Sequence, residues 1–270
     1  MYEAHFGLKR PPFEETLEPS SLVSLPSRES VTRRLRYGIE HARGPALLFG
    51  PHGTGKTLLS RTLAREIGGP ASFVTFPAMP AADLLGYLAD ELHADPGAEA
   101  GRRSVAETLR RLRKTLAGAA LKGDRPLLVV DEAHLIVDPA SFEALRALLN
   151  FATLGPPDLR LLLVGDAEVL LHLPEGLVDR LSAQCLLGPL TESETAAYLN
   201  GRLAAAGAEE SLFGDDAIAA LHRASEGLPR RLNRLADLAL LVAYAEGLPR
   251  PDARAIAAAT RDAASEPLAA

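Results

Sequence analysis

The segment Ala46–Gly69, ALLFGPHGTGKTLLSRTLAREIGG, decides the fold. Its first four residues are apolar and stop at a glycine, the pattern of a short buried strand. Leu59, Leu63 and Ile67 then recur every four residues up to Gly68 and Gly69, which predicts an amphipathic helix with a glycine stop. Between the two lies Gly50-Pro51-His52-Gly53-Thr54-Gly55-Lys56-Thr57, a full match to the phosphate-binding pattern Gly-x-x-x-x-Gly-Lys-Ser/Thr, with Leu58 directly after it. The chemistry explains the residue types. Glycines let main-chain N–H groups turn inward on phosphates, and the helix N-terminus adds positive potential. Lys56 reaches the terminal phosphates, and the Thr57 hydroxyl suits Mg²⁺. The chain has only four lysines, Lys9, Lys56, Lys114 and Lys122, so chance would place such a motif in roughly one of 400 chains of this composition.

Working outward, Ser72–Phe76, Leu127–Val130 and Leu159–Val164 read as further strands. Helical stripes separate them: Leu84, Leu85, Leu88 and Leu92; Val105, Leu109, Leu112 and Leu116; Phe142, Leu145, Leu148 and Leu149. The polar stretch 94–101 reads as a connector. Strands that are apolar on both faces and alternate with helices predict a parallel sheet covered on both sides. After about Leu190 the pattern changes. Thr191-Glu-Ser-Glu194 has the form of a capping box, and the remainder of the chain reads as helices without a convincing strand. The expected organisation is an N-terminal extension and first helix over 1–44 packing on the nucleotide site, an α/β domain over 45–189, and a small helical domain over 190–270.

A second motif lies in Leu127-Leu-Val-Val-Asp131-Glu132, where an apolar strand delivers two carboxylates at its end. Two acids side by side repel unless a cation or a reacting water separates their tasks. Asp131 is placed to hold Mg²⁺, and Glu132 to polarise a water attacking the γ-phosphate of ATP. Asp131-Glu-Ala-His134 also spells the name of a helicase class, but those enzymes need two such domains in tandem and this sequence has one phosphate loop.

Composition sets bounds on the rest. A net charge of −6 argues against a chain-wide nucleic-acid footprint, although Arg33, Arg34 and Arg36 form a basic cluster, as do Arg110, Arg111, Arg113 and Lys114, and Arg230, Arg231 and Arg234. Apolar runs fall short of the roughly 20 residues a membrane-spanning helix needs. The first residues lack the apolar core of a signal peptide, so the expected location is cytoplasmic, or peripheral at the inner membrane through a partner. The one cysteine, Cys185, reads as a small core residue.

Gly7-Leu8-Lys-Arg-Pro-Pro12-Phe13, Leu187-Gly-Pro-Leu190-Thr-Glu-Ser-Glu194-Thr195-Ala-Ala-Tyr198-Leu-Asn-Gly-Arg202-Leu203 and Gly227-Leu-Pro229-Arg230-Arg-Leu-Asn233 together resemble the secretion ATPases of the ExeA or GspA type. These belong to the AAA+ superfamily, in a branch related to ATPases that regulate transposition. The resemblance implies an α/β P-loop NTPase with an all-α lid after it, with ATP and Mg²⁺ as cofactors and self-association as a ring or an ATP-dependent dimer. It implies that Arg180 reaches the γ-phosphate of a neighbouring subunit and that Arg230 is a lid arginine sensing the same phosphate in its own subunit. It also places the adenine near Pro12 and Phe13. Asp166 departs from the pattern, because relatives carry glutamine after the glycine that closes the strand Leu161–Gly165. The leading expectation is an ATPase driving a secretion or pilus assembly through a protein partner. The alternatives are a DNA-associated ATPase, which is not favoured by the charge, and a nucleotide switch with little hydrolysis.

Overall fold

In the computed structural model of the chain, residues 1–41, 44–92 and 104–265 are described, so the connector expected over 94–101 lies outside them. Each apolar run becomes a strand, and the sheet comprises β1 Ala46–Phe49, β2 Ala71–Val74, β3 Leu127–Val130, β4 Arg160–Gly165 and β5 Ala183–Leu186. They pair in parallel in the order β2-β3-β4-β1-β5. Helices connect and succeed them: α1 Pro26–His41, α2 Lys56–Ile67, α3 Ala81–Glu91, α4 Val105–Ala120, α5 Pro139–Leu148, α6 Val169–His172, α7 Glu175–Val178, α8 Glu192–Ala205, α9 Asp215–Ser225, α10 Pro229–Ala245 and α11 Ala253–Ser265. β5 is the strand that the apolar runs do not announce.

The chain forms two compact units. One comprises Ser30–Gly50 and Leu59–Leu187, and the other joins Met1–Glu29 and Pro51–Leu58 to the segment from Gly188 on. In the first, period-2 alternation along the strands feeds two cores. Leu47, Leu128, Val130, Leu161 and Leu163 meet Leu84 and Leu88 of α3, Leu112 and Leu116 of α4, and Phe142 and Leu145 of α5. The intervening Ala46, Leu48, Leu127, Val129, Leu162 and Val164 meet Leu35 and Ile39 of α1 and Leu59 and Leu63 of α2, with Cys185 among them. Both sheet faces are therefore covered, which is why β1 and β3 are apolar at every position.

The second unit has its own core, in which Leu199, Leu203, Leu221, Leu232, Ala236 and Leu240 from α8, α9 and α10 pack with Tyr2, Phe6, Leu8 and Phe13. Polar bonds fix the N-terminal segment there. The Tyr2 hydroxyl donates to Asp237, and the buried Arg202 guanidinium donates to the carbonyls of Pro12 and Glu14, each at 2.7 Å. α8 starts with the expected capping box: Glu194 N donates to Thr191 Oγ1 and Thr191 N to Glu194 Oε2, both at 3.2 Å. No helix among the described residues is long and apolar enough to cross a membrane.

Candidate functional site

The phosphate loop leaves β1 and runs into α2, whose first residue is Lys56. Gly53 and Gly55 have φ of +77° and +93°, and a Cβ on Gly53 would stand 3.0 Å from the Cβ of Arg230. Glycine at 53 thus serves both a left-handed turn and a close approach. Thr54 Oγ1 donates to the Pro51 carbonyl at 2.9 Å, and Lys56 Nζ donates to the same oxygen at 3.1 Å. Lys56 is only 7% exposed, so its charge is held inside the loop rather than spread on the surface. Arg230 N donates to the Gly53 carbonyl at 3.1 Å, which ties the first turn of α10 to the loop. The Arg230 side chain is largely exposed, with Nε 3.5 Å from Glu15 Oε1.

This loop fits a polyphosphate. Inward-turning glycines and a helix N-terminus supply donors and positive potential, and Lys56 and Thr54 converge on one neutral main-chain oxygen. Thr57 sits at the second position of α2 with its side chain half-buried. Pro51 and His52 are exposed, and Leu58 is half-buried. Pro12 and Phe13 stand in the helical unit, where the Phe13 ring is 4% exposed and 6.2 Å from the ring of Phe213, so main chain rather than the ring is what this segment can present.

The carboxylates belong to the sheet unit. Asp131 comes directly after β3, is 5% exposed and accepts Glu132 N on Oδ1 at 3.0 Å. Glu132 has φ of +51°, a left-handed conformation rare outside glycine, which turns its side chain out of the strand's alternation. A short turn, Ala133–Leu135, then brings His134 beside both Glu132 and Asp166. Sequence reasoning does not single out His134 as a site residue. The separation of two positions from Glu132 carries no signal until the left-handed turn and the β3–β4 pairing are known.

Arg180 is exposed after α7, with Nη1 donating to Asn150 Oδ1 at 3.2 Å. It lines a cleft of about 500 Å³ with Gly44, Asn150, Gly155, Pro157 and Ser182. The basic clusters are partly neutralised. Arg36 pairs with Glu66, Arg34 donates to the Gln184 carbonyl at 3.4 Å, Arg111 pairs with Asp90 at 2.7 Å and Arg231 with Glu226 at 3.1 Å. Thus Lys56, Thr57 and Arg230 come together in one unit, and Asp131, Glu132, Asp166 and Arg180 are carried by the other.

Residues 39–173 match the family described as "AAA domain". General secretion pathway protein A of Aeromonas hydrophila is 34% identical over 254 residues, covering 92% of this chain, while the chain spans only 46% of that protein. Among solved structures, Cdc6p of Pyrobaculum aerophilum superposes with a TM-score of 0.72 at 19% identity, covering 91% of this chain and 70% of that one. The Thermotoga maritima RuvB Holliday junction branch migration motor gives 0.62 at 19% identity, with 91% and 73% covered. Those two likenesses concern the fold.

Proposed function

The chain belongs to the AAA domain family, as an ATPase domain of the general secretion pathway protein A type, and from that premise we propose that it binds Mg·ATP, hydrolyses it and couples the cycle to a partner assembly. The observation that carries this reading is the phosphate loop itself, with Lys56 buried in it and bonded to Pro51 at the head of α2. Bound ATP and Mg²⁺ supply the bond to be broken and a divalent charge next to it. The chain supplies the rest. Main-chain N–H groups between His52 and Thr57 and the Lys56 ammonium are the proposed ligands of phosphate oxygens, and Thr57 and Asp131 the proposed holders of the metal. Glu132 accepts a proton from the attacking water.

In the same reading, residues 190–270 act as a lid over an ATPase domain at 45–189, and 1–44 contribute near the base through the segment at Pro12 and Phe13. Arg230 senses the γ-phosphate within its own chain, and Arg180 does so from a second copy. A positive charge that arrives only on assembly would make hydrolysis depend on association. The partner we propose is a protein assembly of secretion or pilus type, met in the cytoplasm or at the inner face of a membrane.

Steady-state hydrolysis by the wild type and by Glu132→Gln, across protein concentration, tests the core of this proposal. A rate that rises with concentration in the wild type and falls at least about a hundredfold in Glu132→Gln supports it, since general-base catalysis contributes factors of about that size. Equal rates in the two proteins would leave a nucleotide switch. The DNA reading is addressed by duplex binding with ATP across a salt series: steep salt dependence would establish it, and absent binding would remove it. The pairing of Arg36 with Glu66 and the net charge of −6 weigh against it.

A further inference from the structure

Arg202 of α8 is buried, at 8% exposed, and makes no ion pair among the described residues. Its Nε donates to the Pro12 carbonyl and its Nη2 to the Glu14 carbonyl, each at 2.7 Å. Burying a guanidinium costs hydration that two neutral acceptors offset only in part. Tethering alone does not account for that cost. The same segment is already anchored by Phe6, Leu8 and Phe13 in the core of the helical unit, and by Lys9 N, which donates to the Ala206 carbonyl at 2.8 Å. What the arginine adds is a fixed direction for the carbonyls of residues 12 and 14.

That direction leaves a donor over. The peptide bond between Pro12 and Phe13 is trans, so the Phe13 N–H lies across its peptide plane from the Pro12 carbonyl and points away from Arg202. Phe13 is 4% exposed, and its N–H donates to nothing among the described residues. Buried main-chain N–H groups are nearly always paired, so an orphan marks a place where another molecule can accept. The segment also reaches the surroundings of the phosphate loop. Glu15 Oε1 is 3.5 Å from Arg230 Nε, and Arg230 N donates to the Gly53 carbonyl at 3.1 Å. Phe13, Arg202, Arg230 and Pro51–Leu58 all belong to one compact unit, so the orphan donor and Lys56 stand on a single scaffold.

We propose that Arg202 is a positioning residue for base recognition: by holding the Pro12 and Glu14 carbonyls it aims the Phe13 N–H at a ring nitrogen of the nucleotide's adenine. The inference rests on the proposed nucleotide site and adds what fixes the group that reads the base. Unprotonated ring nitrogens of adenine accept a hydrogen bond and have none to donate, which suits a lone N–H. A bare polyphosphate carries the charge that Lys56 answers but offers nothing specific to this donor. Arg202 therefore matters only for ligands that carry the base.

The test is a titration of the full chain with Mg·ATP and with Mg·tripolyphosphate, its base-free counterpart. Arg202→Met keeps the aliphatic stem and loses the donors. It is expected to weaken ATP at least about fivefold, the size of one hydrogen bond, and to leave tripolyphosphate within about twofold. Analogues of ATP in which one ring nitrogen of adenine is replaced by CH locate the acceptor. One of them should bind the wild type at least about fivefold more weakly than ATP, and Arg202→Met should bind that analogue and ATP alike, the coupling of groups that meet. Equal losses for ATP and tripolyphosphate in Arg202→Met, or no loss for either, would overturn the proposal. If Arg202→Met does not fold, the analogues on the wild type and Arg202→Lys decide. Lysine lacks the fork that holds two carbonyls, so it should lower the ratio of ATP to tripolyphosphate affinity. An unchanged ratio, or analogues that all match ATP, would overturn it. A wild type that binds neither ligand sinks the ATPase reading along with this one. A wild type that binds tripolyphosphate as tightly as ATP sinks only this one.

Discussion

Lys56 shares the Pro51 carbonyl with Thr54 Oγ1, so the loop keeps an internal bond when the lysine is removed. Lys56→Ala should therefore leave the fold intact and remove the charge proposed to reach phosphate. ATP affinity should drop at least about thirtyfold, the equivalent of about 2 kcal/mol for a lost charged hydrogen bond. Isothermal titration checks this, and undiminished binding would refute the site. At this scale the sequence is most readable where the chemistry is contiguous. Gly50 to Thr57 form one loop, and the roles proposed for them follow from spacing alone. His134 depends on the left-handed backbone at Glu132 and on a neighbouring strand, two facts that no local spacing encodes.

Among the elements, α8 allows a clean energetic test. Its capping box satisfies the N–H groups of Thr191 and Glu194, and Glu194 Oε1 also accepts Ser27 N at 3.1 Å within the same unit. Thr191→Ala should cost about 1 kcal/mol and Thr191→Ser almost nothing, because serine keeps the capping oxygen. Urea denaturation monitored by circular dichroism reads the difference, and equal midpoints for the two variants would mean the cap carries no stability. This box is legible because its four residues satisfy one another. β1, β3 and β4 are legible because strands buried on both faces are continuously apolar, as Leu127–Val130 are. β5 is not. In Ala183–Leu186, Gln184 and Leu186 are exposed and only Cys185 is fully buried, so the run offers neither an apolar block nor a clean alternation. Its place beside β1 comes from long-range pairing.

At the scale of the whole molecule, the grouping of Pro51–Leu58 with the helical unit is hidden in the sequence, because the bond from Arg230 N to the Gly53 carbonyl joins residues far apart in the chain. The surface that the fold leaves exposed bears on assembly. Arg180 is held by Asn150 at the rim of an open cleft, oriented but not buried, as a side chain must be if it is to act on another molecule. If Glu132 from one copy and Arg180 from the next complete each site, Glu132→Gln and Arg180→Ala should each be inactive alone and complement each other when mixed. In a randomly mixed, closed assembly of equal parts, about a quarter of the sites would pair an intact Glu132 with an intact Arg180, so about a quarter of wild-type hydrolysis should return. A mixture as inactive as its components, from variants that each still bind ATP, would place the assisting arginine elsewhere on the chain.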